Sequence, residues 1–175
     1  MHSVAWMPRL LPLFHEQYPD VSVRLIEQGD ELLLKALQSN DADIIIGGMP
    51  VSTQDVTVTL ALEQLLLIVP RAFNIIPSWA YTGNSYENPY EIDPKQLQGL
   101  PLILPSTVND IGGITNQVLE HFDIRPKFVT TVDSMQTAAM LVAQDMGYLF
   151  TSPIFLKAQM AELAPNIVYC MARGI

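Results

Sequence analysis

Cysteine is nearly absent from this 175-residue chain: Cys170 stands alone, which excludes an internal disulfide and suits a reducing compartment. Basic residues are also few. Nine Lys and Arg face 18 Asp and Glu, a formal net charge of −9, and the cations are scattered singly. Binding nucleic acid needs clustered phosphate-neutralising cations, so the chain alone is a poor DNA binder. No apolar run reaches the roughly 20 residues of a membrane helix. The opening MHSVAWMPRLLPLFHEQYP lacks the cationic leader, apolar run and small-residue cleavage site of a signal peptide. These absences describe a cytoplasmic protein without a membrane partner.

Catalytic patterns are missing as well. His2, His15 and His121 are far apart in sequence, with no second ligand at metal-binding spacing. Gly47-Gly48 and Gly112-Gly113 match neither phosphate-loop pattern and read as tight turns. No G-x-S-x-G elbow presents a nucleophile, and neither Glu16 nor Glu27 falls in a sequence motif for acid/base catalysis. Cys170 sits in an apolar run, the setting of a buried, inert thiol. The expectation is a protein that is not an enzyme and uses no metal or cofactor.

What is present is a repeated α/β plan. Met7, Leu10, Leu11, Phe14 and Tyr18 form an apolar helical stripe, with Pro12 bending the helix and Pro19 stopping it. Val21, Val23 and Leu25 alternate with polar residues as in a strand. Gly29-Asp30 breaks that strand and offers Asp30 as a helix N-cap. Leu33, Ala36 and Leu37 give the next helix a buried face, and residues 43–47 form a β-branched run typical of a parallel sheet covered on both faces. Alternation at Val56, Val58 and Leu60, followed by an apolar strand over 65–69, marks the crossover between halves.

The second half repeats the plan. A strand over 102–104 is followed by a loop over 106–113, a helix over 114–122 and a strand over 128–132. Asp133 or Ser134 then caps a helix over 135–144, and residues 147–150 return as a strand. The stretch 75–93 reads as an ordered loop, 155–163 as a helix and 167–170 as a last strand. The first half thus reads α-β-α-β and the second β-α-β-α-β, so a strand is missing before Ser3 if the two are built alike.

The segments LLPLFHEQYPDVSVRL, IEQGDELLLKAL, NDADIIIGG, EQLLLIVP, DPKQLQGLPLIL and TTVDSMQTAAMLVAQDMGYLFTSP follow the order of one known family. In that order they resemble the effector-binding domain of LysR-type transcriptional regulators, a type 2 periplasmic-binding-protein fold. The resemblance implies two Rossmann-like α/β lobes with a ligand cleft between them. Residues 1–65 would form an incomplete regulatory subdomain I and residues 66–175 subdomain II. It also implies truncation at both ends: the upstream winged helix-turn-helix, the first strand and the closing crossover would be absent. Two departures stand out. Asp145-Met146-Gly147 keeps only the second glycine of the family's usual Gly-x-Gly, and the segment 79–90 is longer than the expected linker.

Ligands of open parallel α/β sheets bind beyond the carboxyl ends of strands, beside helix N-termini. The cleft candidates are Ser3, Ala5, Trp6, Gly29, Asp30, Ser106, Thr107, Asp133 and Ser134. The family resemblance implies that these positions contact a small effector, a carboxylate or an amino-acid-like metabolite. Each hydroxyl has a second reading as a plain helix cap, and Trp6 is either a ligand wall or packing. Asp30 and Asp133 would repel an anion; they serve as caps, or the effector carries an amino group. Arg9 reads as a solvated helix residue. The resemblance further implies a homodimer or tetramer, the helix over 10–18 and strand over 21–25 meeting a partner's helix over 114–122 and strand over 128–132. DNA would be contacted only through the missing N-terminal domain. The competing reading is an extracytoplasmic solute-binding protein of a transporter.

Overall fold

The structure, a computed structural model, describes residues 3–47, 57–60, 62, 64–106, 110–156, 163 and 165–174. It divides into two compact units, Met1–Val58 and Thr59–Ile175.

In the first unit, helix α1 spans Ser3–Gln17 and runs through both Pro8 and Pro12. Helix α2 spans Asp30–Gln38. Its N-cap is Gly29, in an extended conformation (φ −67°, ψ 153°) and without a side-chain cap, so Asp30 is the first helical residue rather than the expected cap. The Gly29 carbonyl accepts from Leu32 N at 2.9 Å and Leu33 N at 3.0 Å, which places the cap on Gly29. The strands expected over 21–25 and 43–47 do not form. A strand is held by a neighbour's backbone, and no neighbouring ladder pairs with either segment among the described residues. Arg24, in the first run, donates to the carbonyl of Asp41, two residues ahead of the second, at 3.2 Å. Of the crossover expected at 56–69, Val56 lies outside the described residues, and Val58 and Leu60 are irregular and exposed.

The second unit has a paired framework. Strand β1 is Leu66–Pro70, β2 Tyr90–Ile92, β3 Leu102–Pro105, β4 Val129–Val132, β5 Leu149–Thr151 and β6 Ile167–Ala172. Four strands lie in the order β2-β6-β1-β5, and β3 pairs with β4. A parallel bridge from Leu102 to Tyr148 joins the two sets, supported by Ile103 N to Tyr148 O and Tyr148 N to Pro101 O, both 2.9 Å. β1 is antiparallel to β5 and β6, which explains why every residue of LLIVP is buried: it is the strand between two partners.

Helix α3 (Asp110–His121) joins β3 to β4, and α4 (Met135–Val142) leads from β4 to β5. α3 begins four residues before the expected start: Gly112-Gly113 resembles a loop in sequence, yet residues 110–113 are helical. In α4, Met135, Ala138, Ala139 and Val142 are buried at i, i+3, i+4 and i+7, one apolar stripe. The helix expected over 155–163 begins earlier, as α5 (Pro153–Leu156), and residues 157–162 lie outside the described residues.

Residues 75–93 hold more order than a loop: a 3-10 turn over Ser78–Tyr81 and the edge strand β2. Asn84 pins this stretch to β6. Its side chain donates to Tyr169 O and accepts from Tyr169 N, both at 2.8 Å, as a strand neighbour would. The missing family glycine is also accounted for. Asp145 takes the left-handed conformation (φ 60°) at the end of α4, which Asp and Asn tolerate better than most residues.

Candidate functional site

Register decides which candidate residues of the second unit meet. β3 and β4 run parallel with Pro105 opposite Val132, so both strands end on the same side of the sheet. The next residues are Ser106 on one strand and Asp133-Ser134 on the other, and Ser106 N donates to Val132 O at 2.8 Å. The structure thus brings Ser106, Asp133 and Ser134 together at the carboxyl ends of β3 and β4, ahead of the N-termini of α3 and α4. Orphan N–H groups and the positive end of each helix dipole favour an acceptor or anion there. Thr107 lies outside the described residues.

The two readings of Asp133 and Ser134 separate here. Ser134 is the N-cap of α4 (φ −96°, ψ 120°), its hydroxyl accepting from Thr137 N at 3.3 Å. That use occupies one lone pair and leaves the hydroxyl proton available as a donor. Asp133 is exposed and forms no ion pair among the described residues. In the first unit, Ser3, Ala5 and Trp6 fall in the opening turns of α1, with Trp6 41% exposed. Gly29 and Asp30 mark the start of α2.

Thr151-Ser152 is a polar pair that the sequence pattern did not single out. These residues end β5, which lies beside β3 through the Leu102–Tyr148 bridge, and both are buried. Ser152 Oγ accepts from Ile154 N at 3.3 Å. The Ser-Pro pair ahead of an apolar run is the available signal, since serine caps and proline suits a first turn. At the other end of the sheet, Arg71, Gln144, Asp145 and Asn166 edge an open groove of about 320 Å³. The Arg71 guanidinium lies over the Tyr81 ring at 5.1 Å and donates through Nε to Ile167 O at 3.2 Å.

Burial favours the protonated, neutral form of the core's thiol and of its buried phenol. The Cys170 thiol is pushed up to about 12 by desolvation, and burial also raises the Tyr148 phenol. Among the described residues no group of His, Cys, Asp and Glu could hold a metal, and no helix is long and apolar enough to cross a membrane.

Polar residues gathered where parallel strands feed helix N-termini are a setting in which open α/β sheets bind small molecules. Comparison with known proteins makes this specific. The LysR substrate binding domain family matches residues 2–165, and the chain belongs to that family. It is 28% identical over 170 residues to a "Probable RuBisCO transcriptional regulator" of Porphyra purpurea, covering 93% of this chain and 49% of the relative. The chain thus spans about half the length of that relative. Among solved structures, it resembles the Synechocystis PCC6803 CcmR regulatory domain in complex with 2-PG (TM-score 0.76, 18% identity, 98% of this chain and 77% of that one). It also resembles the BenM effector binding domain with its effector benzoate (TM-score 0.71, 17% identity, 98% and 73%). Both likenesses show the type 2 periplasmic-binding-protein fold.

Proposed function

We propose that this chain is the ligand-sensing part of a cytoplasmic LysR-type transcriptional regulator. A small carboxylate-bearing effector binds where β3 and β4 end, taking hydrogen bonds from Ser106, Thr107 and Ser134. The observation that carries this reading is the register of β3 and β4, which sets Ser106 beside Asp133-Ser134 within a chain of this family. In the first unit, the family resemblance assigns effector contacts to Ser3, Ala5, Trp6, Gly29 and Asp30. Asp133 selects for an effector that also carries an amino or hydroxyl group, because an unrelieved carboxylate beside a second anion is unfavourable. Differential affinity for two arrangements of the protein turns binding into a change at DNA held by a separate domain.

The working unit is a homodimer or tetramer, with α1 and residues 21–25 of one copy against α3 and β4 of another. Exposure of Leu10, Leu13 and Phe14 on α1, and of Phe128 and Val129 at the edge strand β4, supports that pairing. Leu13→Glu should shift the full-length protein toward monomer in sedimentation runs; unchanged association sinks the interface. The function itself is tested by the intact mass and N-terminal peptide of the native protein. About 90 further residues with a basic helix-turn-helix pattern support a regulator. A cleaved leader with no DNA-binding helix assigns the domain to transport.

A further inference from the structure

We propose that Gly112 is a positioning residue for the ligand site: it seats the first turn of α3 on the carboxyl end of β3 and so holds Ser106 in place. The proposal rests on the reading of that strand end as the ligand site. A Cβ built on Gly112 would collide with Pro105 O, lie 2.8 Å from Ser106 O and 3.2 Å from Pro105 C. All three are backbone atoms, so no side chain can swing aside to relieve the contact. Ordinary contact begins near 3.4 Å, and the helix would therefore have to retreat by about 0.6 Å from the Ser106 carbonyl. Binding groups need to be held within about 0.5 Å, so a shift of that size is enough to misplace the site.

Neighbouring residues show why the seat is specific. Gly113, next in the same turn, faces open space: a Cβ added there would meet nothing within 4 Å, so only one of the two glycines is demanded by space. Ile111, Gly112, Thr115 and Val118 form the buried side of α3, and the Thr115 hydroxyl donates to Ile111 O at 2.6 Å, closing the first turn on itself. Gly147 makes a similar approach at the other end of β3, where an added Cβ would lie 2.7 Å from Pro101 O. β3 is thus gripped at both ends by glycines: Gly147 holds it to the sheet, and Gly112 holds the site-forming turn to it.

Amide hydrogen exchange on the full-length protein tests this, with Gly112→Ala set against Gly113→Ala. Gly112→Ala should speed exchange by about tenfold over residues 102–106 and 111–115 while leaving β1 and β6 within about twofold. Gly113→Ala should leave both regions protected or slow their exchange. Unchanged protection at 102–106 and 111–115 in Gly112→Ala overturns the proposal. So does equal loss in β1 and β6, or failure to fold, because either makes Gly112 a core-packing residue with no particular hold on the site. Benzoate serves as the ligand probe, with Ile111→Val as a control that loosens α3 without moving its seat. Gly112→Ala should weaken benzoate binding by about tenfold and Ile111→Val by less than about twofold; equal effects overturn the positioning role. If the wild-type protein ignores benzoate, which lacks the amino or hydroxyl group that Asp133 favours, a bare carboxylate is not enough for the site, while the exchange comparison still decides the role of Gly112.

Discussion

The two units use similar apolar patterns and reach different ends. In the second, Leu67 and Ile68 are fully buried because β1 has a hydrogen-bonded partner on each side. In the first, Val21, Val23 and Leu25 alternate as a strand should, yet each is about half exposed, and Ile44 is 81% exposed. An apolar pattern therefore states what a segment can bury, whereas strand formation needs a second backbone to satisfy its N–H and C=O groups. Helices carry their own partners. That is why α1 and α2 form without a sheet beneath them among the described residues.

Core truncation should separate the units most sharply. Leu67→Ala removes a buried side chain from between two strands and should cost about 2–5 kcal/mol in urea unfolding. Ile44→Ala should stay within about 0.5 kcal/mol, since its side chain is already in water. Comparable losses would break the contrast.

Alkaline pH should act on the second unit in particular. Burial raises the Cys170 thiol from 9.0 to about 12, and the Tyr148 phenol shifts in the same direction. Between pH 9 and 12 the unfolded thiol ionises while the buried one stays protonated, so the unfolded state binds fewer protons. Stability from this source is complete below pH 9 and declines as pH rises toward 12. The urea midpoint should fall between pH 8 and pH 10.5, and Cys170→Ala should flatten that slope. An unchanged slope would show that the thiol does not titrate with unfolding.

Helix caps differ between the two units on a smaller scale. α4 has a side-chain cap and α2 has none. Ser134→Ala should cost about 1 kcal/mol, whereas Gly29→Ser should add only a few tenths. Tyr148→Phe should not destabilise at all. The Tyr148 hydroxyl is buried with no hydrogen-bond partner among the described residues, so its removal should be neutral or stabilise by about 1 kcal/mol. A clear loss in thermal melts would point to a buried water on that oxygen.

Much of the second unit was legible in sequence because its signals were local. Leu66–Pro70 and Leu102–Pro105 are short apolar runs bounded by breakers, and the stripe of α4 repeats at helical spacing. The edge strand Tyr90–Ile92 was not legible, since three residues in a Pro- and Asn-rich stretch carry no period, and its pairing with β6 depends on distant residues. The same holds for the site. Ser106 and Ser134 were legible as polar residues between a strand and a helix. That they meet follows from the register of β3 and β4, and the role of Gly112 from a close backbone approach that no spacing rule encodes.

A small carboxylate is expected to bind at the carboxyl ends of β3 and β4. An amide chemical-shift map of the full-length protein, titrated with a panel of small carboxylates including benzoate, tests it most directly. The predicted result is saturable shifts at Ser106 and Ser134 and in the first turn of α4 over residues 135–137. Shifts confined to the groove at the other end of the sheet, at Arg71, Asp145 and Asn166, would contradict it.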